Sequence, residues 1–335
     1  MTFLVLETVG GACEVAIVPD HPLTLAAHWV HDLSPFLIRF SESFGIRWYG
    51  LSYVLGFLAA YLLMRWLVRK GCCELSEDQV ADFITFGALL GVMLGGRLGY
   101  MLFYNFDEFI HKPWIFVQFL QGGMASHGGI LGLVIFAWFY ARRTKLSWAG
   151  LGDNLVVVCP VGVFFGRLAN FINGELYGRT TEAGIGVIFP RAVSELPLVQ
   201  IRDILDRFHA ASIEHLVELS RQSPEIQAYI AQVVAPRHPS QLYEALIEGL
   251  LLFAILLAVR LKWKNLYHGI LTGLFFILYA IGRISVETLR EPDAEQIMGI
   301  TRGQFYSVFM ILIGVGFIAW GLKTKRRNRL AASPR

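Results

Sequence analysis

Seven stretches of this 335-residue chain stay apolar for close to twenty residues, and that repetition constrains the fold more than any other feature. They cover about 48–68, 82–105, 120–141, 153–173, 240–260, 267–288 and 304–322. A helix rises about 1.5 Å per residue, so roughly twenty residues cross the ~30 Å hydrocarbon layer, and inside that layer a helix satisfies its own backbone polar groups. At 55% hydrophobic and 16% charged, the composition is too apolar for a soluble domain of this size. The expected fold is an all-α polytopic membrane protein with seven transmembrane helices.

Basic residues close alternate runs. Arg65, Arg69 and Lys70 follow the first, Arg142, Arg143 and Lys145 the third, Arg260, Lys262 and Lys264 the fifth, and Lys323 to Arg329 the seventh. Positive charge is retained on the cytoplasmic side, so the amino terminus is expected outside and the carboxyl terminus in the cytoplasm. No Lys or Arg precedes Arg39, so targeting is expected to come from the first span. The chain then divides into an extracytoplasmic or interfacial segment 1–45, helices one to four over 46–175, a small extracytoplasmic helical insert 176–237, helices five to seven over 238–322, and a basic cytoplasmic tail 323–335. Within the insert, Leu205, Phe208, Leu216 and Leu219 recur at helical spacing, and Ser223-Pro224 reads as a helix start. His28 and His31 lack a third ligand nearby, so the stretch around them reads as an interfacial amphipathic helix rather than a metal site. A net charge of +3 gives no case for nucleic acid, and Cys13, Cys72, Cys73 and Cys159 form no paired motif. No metal or organic cofactor is expected.

Against this background the polar residues inside the spans stand out. A charged side chain at mid-membrane costs about 2.5–3.5 kcal/mol on insertion scales, so it usually faces a cavity or a partner. The run ending at Phe165 takes on Arg167, Asn170, Asn173 and Glu175, with Arg167 and Asn170 one turn apart. Tyr279, Arg283 and Glu287 form a stripe at i, i+4 and i+8. Tyr49, Arg97 and His127 fall, like these, toward the outer ends of their spans, whereas the inner halves carry almost no interruptions. Gly91, Gly95 and Gly99 recur every four residues, the spacing that lets helices approach closely. Several arginines with few acids at this depth suit an anionic phospholipid headgroup, because guanidinium binds phosphate oxygens in pairs.

The segment Gly166-Arg-Leu-Ala-Asn-Phe-Ile-Asn-Gly-Glu-Leu-Tyr-Gly178 resembles the signature of the bacterial prolipoprotein diacylglyceryl transferases. Arg47 to Gly50, Gly95 to Tyr100, Gly122 to Gly129, Arg237 to Glu244, and Arg283 to Glu287 with Arg290 to Asp293 resemble the same family, over about residues 46–322; Ala125-Ser126 departs from its usual pattern. The resemblance implies transfer of the sn-1,2-diacylglyceryl group of phosphatidylglycerol to the lipobox cysteine thiol of prolipoprotein signal peptides, with glycerol phosphate released, in the bacterial inner membrane and toward its outer leaflet. It implies that Arg167 and Arg283 hold the phosphate, Asn170 bonds headgroup or substrate backbone, Glu175 and Glu287 orient the arginines, and Tyr49 positions lipid. Gly178, Tyr279 and Arg97 join the lipid-binding set. The thiol proton is expected to go to His127, or else to Glu287 or Glu175 with a pKa raised by burial. The rival expectation is a phospholipid-binding transporter or receptor without chemistry.

Overall fold

The computed structural model describes residues 8–9, 12–13, 28–41, 45–118, 122–291, 296–297 and 299–327. Its helices, in chain order, are α1 (Trp48–Arg69), α2 (Glu77–Phe103), the short α3 (Phe106–His111), α4 (Ser126–Thr144), α5 (Trp148–Ile172), α6 (Leu198–Arg207), α7 (Ile213–Ser220), α8 (Pro224–Val233), α9 (Ser240–Lys262), α10 (Ile270–Glu287) and α11 (Arg302–Thr324). Among the described residues six are long and apolar enough to cross a membrane: α1, α2, α5, α9, α10 and α11. Helix α4 stands where the third run was expected. Its 19 residues begin with Ser126-His127 and end with Arg142-Arg143-Thr144, so its apolar centre is shorter. Reciprocal Ser76/Gln79 and Thr301/Gln304 capping pairs start α2 and α11.

Glycine sets the closest approach in the bundle. Gly95 and Gly99 of α2 lie against Gly128 and Gly132 of α4, and a Cβ on Gly95 would sit 2.6 Å from the Gly128 carbonyl oxygen and 2.9 Å from the Gly132 Cα. The four-residue spacing in the sequence is thus a helix-packing stripe. Helices α10 and α11 meet the same way, with Gly314 against the Gly273 carbonyl. Helix α5 packs against α1, α9 and α10, which makes it the central post of the bundle.

Residues 187–234 form a separate small unit. Ile188, Val193, Ile204, Leu216, Ile226 and Ile230 build its core from α6, α7, α8 and the preceding turn Pro190–Glu195. The segment around His31, expected to be an amphipathic helix, is instead extended. Trp29–Val30 pairs in parallel with Val187–Ile188, the His31 amide donates to the Ile188 carbonyl at 2.8 Å, and Arg39 pairs with Glu218. The reason is that the neighbouring strand offers the backbone bonds an isolated interfacial helix would have made alone. Residues 1–7, 10–11, 14–27 and 42–44 of the expected N-terminal segment, Asp293 and Glu295, and the tail beyond Arg327 lie outside the described residues.

A second difference concerns the opposite end of the spans, which is not free of polar groups. Asp153 and Asn154 at the start of α5, Arg260 at the end of α9 and His268 before α10 are all buried. Asp153 accepts from the Gly269 and Thr272 amides and the Thr272 hydroxyl at 2.7–2.8 Å, so it caps the first turn of α10. Arg260 donates to Asn154 at 2.8 Å, and His268 faces Glu74 at 3.2 Å. Arg260, expected to close the fifth run with Lys262 and Lys264, is 1% exposed. The sequence hid this because each residue lies at the margin of its run, where a snorkelling residue is indistinguishable from a buried one.

Two outcomes follow. Gly95→Ala should destabilise the detergent-solubilised protein by about 1–3 kcal/mol through overpacking, whereas Gly316→Ala, whose added Cβ meets nothing within 4 Å, should be neutral or slightly stabilising in thermal unfolding. His31 packs among the rings of Trp29, Phe171 and Phe189, tilted or edge-on, and burial pulls its imidazole from 6.5 down to about 4. The folded state therefore requires the neutral ring, so its stability is fully present above pH 6.5 and declines as pH falls toward about 4. The loss should be on the order of 3 kcal/mol, and subtracting the pH profile of a His31→Phe variant should isolate it.

Candidate active site

Three spans bring acids and bases together at one end of the bundle. Helix α9 carries Glu244 in its first turn and Glu248 one turn later, both with fully buried side chains, and a π-helical stretch over Ala245–Leu251 starts directly after Glu244. Glu244 receives Arg167 of α5 at 3.0 Å, Arg283 of α10 at 2.6 Å and Arg290 at 2.7 Å. Glu248 lies 3.4 Å from Arg167 and 3.9 Å from Arg283. Arg283 also reaches Glu287, one helical turn on, at 3.0 Å. Glu287 is walled by Gly303 of α11, where an added Cβ would come within 2.6 Å of its carboxylate.

One turn beyond Arg167, Asn170 starts a second constellation. The Tyr49 hydroxyl of α1 donates to Glu175, the Asn170 amide donates to Tyr49, and Asn170 lies 3.3 Å from the same Glu175 oxygen. Arg191, from the small helical unit, faces the other Glu175 oxygen at 3.6 Å. The turn that delivers Glu175 is strained: Leu176 has φ +57°, a left-handed conformation costing a non-glycine residue about 1–2 kcal/mol. It is held by α9, where Gln241 donates to the Glu175 carbonyl at 2.7 Å and Ser240 to the Leu176 carbonyl at 3.1 Å. Gly178 then passes directly under Leu289 and His238, and its amide donates to the His238 carbonyl at 2.8 Å. A side chain there would push away the backbone that carries Arg290.

Both constellations open on one cavity of about 580 Å³. Tyr49, Asn170, Arg167 and Tyr279 line its polar end, and Phe57, Phe83, Leu133, Leu155 and Val158 are among its apolar walls. Tyr279 also contacts Glu248. An amphiphile with an anionic head and hydrocarbon chains fits this division: guanidinium at the head, a volume typical of ligand sites behind it, and apolar walls for the tails.

The structure brings together Tyr49, Arg167, Asn170, Glu175, Tyr279, Arg283 and Glu287, with Gly178 supporting from behind. Two of the expected residues stand elsewhere. His127 is exposed on the first turn of α4, beside Ser126, which lines the cavity. Arg97 is 3% exposed and directs its guanidinium to the carbonyls of Ile115, Phe116, Gln118, Gly122 and Gly123. It fastens the connection between α3 and α4 and does not reach the cavity. Sequence reasoning assigned no role to Glu244, Glu248 or Arg290. The signal was present, since two acids at i and i+4 open an otherwise apolar span.

Comparison with known proteins identifies the chain's relatives. A family model described as prolipoprotein diacylglyceryl transferase matches residues 35–320. The phosphatidylglycerol--prolipoprotein diacylglyceryl transferase of Bdellovibrio bacteriovorus is 39% identical over 326 residues, covering 85% of this chain and 92% of that protein. Proteins of the same name from Legionella pneumophila and Rickettsia canadensis are each 38% identical, covering 82% of this chain and 93% and 92% of their own lengths.

Removing the shared anion should be the most damaging single change in the bundle. Glu244→Gln leaves three guanidiniums converging without their common carboxylate, and it should cost about 3–5 kcal/mol in thermal or denaturant unfolding. Arg97→Gln should destabilise the protein without altering lipid binding in the fraction that folds, because its guanidinium bonds the carbonyls of residues 115, 116, 118, 122 and 123 and does not line the cavity.

Proposed function

The chain belongs to the prolipoprotein diacylglyceryl transferase family, and from that membership we propose that it moves the sn-1,2-diacylglyceryl group of phosphatidylglycerol onto the lipobox cysteine thiol of a prolipoprotein, releasing glycerol phosphate. One observation carries the reading: Arg167 and Arg283 converge on the same buried carboxylates at the head of a cavity whose remaining walls are apolar. The headgroup phosphate meets Arg167 first, because Arg167 lines the cavity, while Arg283 supports the charge from behind. Tyr49, Asn170 and Glu175 form a hydrogen-bonded shelf for the glycerol hydroxyls and the approaching peptide backbone. The acyl chains run along Phe57, Phe83 and Leu155 between α1, α2 and α5.

The chemistry is displacement at carbon. The thiolate attacks the glyceryl carbon, the carbon–oxygen bond breaks, and negative charge gathers on the departing phosphate, where fixed guanidiniums lower the barrier. His127 takes the thiol proton in this reading: it is exposed next to Ser126 at the cavity edge, where a precursor arriving from the lipid presents its cysteine. Glu175 and Glu287 remain the carboxylate alternatives.

Helix α4 is the seventh span. Its 19 residues reach about 28 Å at 1.5 Å per residue, and Ile130, Leu131, Val134, Ile135 and Phe139 face outward as a lipid-facing surface. With it counted, basic residues occupy the last turns of α1, α4, α9 and α11 and of none of α2, α5 and α10. That alternation supports a cytoplasmic carboxyl terminus, with the site and the small helical unit toward the outer leaflet of a bacterial inner membrane.

The test is incubation of the solubilised protein with phosphatidylglycerol and a lipobox peptide, read by mass spectrometry. The peptide cysteine should gain one diacylglyceryl group; lipid binding without that gain would favour a receptor or transporter. Replacing Cys13, Cys72, Cys73 and Cys159 together should leave turnover intact, even though Cys159 lines the cavity, because the substrate supplies the nucleophile. Arg167→Lys should lower kcat/KM at least 100-fold, since one ammonium cannot reproduce a paired phosphate contact.

A further inference from the structure

Among the described residues the cluster sets three guanidiniums, Arg167, Arg283 and Arg290, against three carboxylates, Glu244, Glu248 and Glu287. It is charge-balanced before lipid arrives. A phosphodiester brings a further negative charge into the same desolvated volume, and an uncompensated buried charge is costly. A proton entering with the lipid removes that cost.

The carboxylates are not equally held. Glu244 sits within 3.0 Å of all three arginines, and Glu287 lies 3.0 Å from Arg283 under the Gly303 wall. Glu248 has only the longer guanidinium approaches, 3.4 Å to Arg167 and 3.9 Å to Arg283, and its other side-chain partner is the Tyr279 hydroxyl. The charged and titratable groups facing it are Arg167 from α5, Arg283 and Tyr279 from α10, and Glu244 from its own helix. When a phosphate engages Arg167, the pair that yields is the weak one with Glu248.

We propose that Glu248 takes up a proton as the phosphodiester binds and passes it through the Tyr279 hydroxyl to the phosphate oxygen that departs from carbon. The proposal rests on the reading of Arg167 as the phosphate ligand. In the step, the carbon–sulfur bond forms and the carbon–oxygen bond breaks with its electron pair staying on oxygen. Oxygen receives the Glu248 proton by way of Tyr279, which contacts both Glu248 and the cavity. The product is a phosphate monoester monoanion, and the proton surrendered by the thiol to the site's base replaces the one delivered, so no proton is consumed over a cycle. Glu248 is thus a relay residue acting through Tyr279.

Calorimetry of the full-length protein in detergent decides it. Phosphatidylglycerol is titrated at pH 8 in buffers of different ionisation enthalpy. The wild type should take up close to one proton per lipid bound. Glu248→Gln, which mimics the protonated acid, should bind lipid within about threefold of wild type with uptake near zero and a kcat at least tenfold lower at unchanged KM. Tyr279→Phe should keep the uptake and lose kcat. Lipid binding by the wild type without proton uptake overturns the proposal, as does wild-type uptake in Glu248→Gln; should that variant fail to insert, the wild-type titration alone decides. Lipid binding indifferent to Arg167→Ala would instead overturn the phosphate site on which the proposal stands.

Discussion

Everything at the working end of this bundle depends on one carboxylate shared by three guanidiniums. Glu244 has a fully buried side chain and lies within 3.0 Å of Arg167, Arg283 and Arg290, which come from α5, from α10 and from the turn after α10. Each of those charges alone would be expelled to the interface or would bend the bilayer toward it. Converging on one anion, they neutralise one another's field and fix three segments in a single register. The arrangement is costly to desolvate and costly to break, so its worth is less in net stability than in holding positive charge where water has been removed. A low-dielectric setting makes those charges effective toward an incoming phosphate, because fixed dipoles and charges need no reorganisation as the reaction proceeds.

That electrostatic centre is supported by backbone geometry. The strained Leu176 and the glycines at 174 and 178 turn the chain sharply after α5, so that Glu175 swings back over Asn170 and Tyr49. At Gly174, φ is +63°, and a Cβ there would strike His31, whose ring fills the space between the bundle and the small helical unit. Ser240 and Gln241 hold the turn with side chains whose only evident work is to bond the carbonyls of residues 175 and 176. The Pro-Ser-Gln stretch is therefore part of the site without touching its cavity. It ties the start of α9, which carries Glu244, to the end of α5, which carries Arg167.

Much of this was legible in the sequence, and the parts that were not have physical reasons. The apolar runs announced their helices, because only a helix can cross hydrocarbon at that length. The Arg167 and Asn170 pair and the Tyr279, Arg283 and Glu287 stripe were legible because helical spacing predicts a common face. Glu244 and Glu248 obeyed the same rule, but they stand at the opening of the fifth run, where helical spacing alone does not show which arginines they meet. Arg97 had the right depth and residue type; spacing cannot tell a guanidinium facing a cavity from one wrapped by the carbonyls of residues 115, 116, 118, 122 and 123. The Trp29–Val30 strand was invisible because its partner lies some 160 residues away, and local pattern carries no information on such pairings.

The two buried polar clusters at opposite ends of the spans show why charge in a membrane helix is not by itself a site. Around Asp153, Asn154, Arg260 and His268 the polar groups serve helix ends and one another: the Asp153 carboxylate caps α10 with three donors, Arg260 meets Asn154, and His268 meets Glu74. None of these four residues lines the large cavity. At the other end the pairings are uneven, with one arginine facing an open apolar chamber while its weaker partner, Glu248, sits at 3.4 Å. A cluster with no cavity beside it gives a newcomer no way in. One that sets a weak pair beside a cavity can exchange that pair for a ligand at small cost, and the difference between a helix clamp and a binding centre lies in that access.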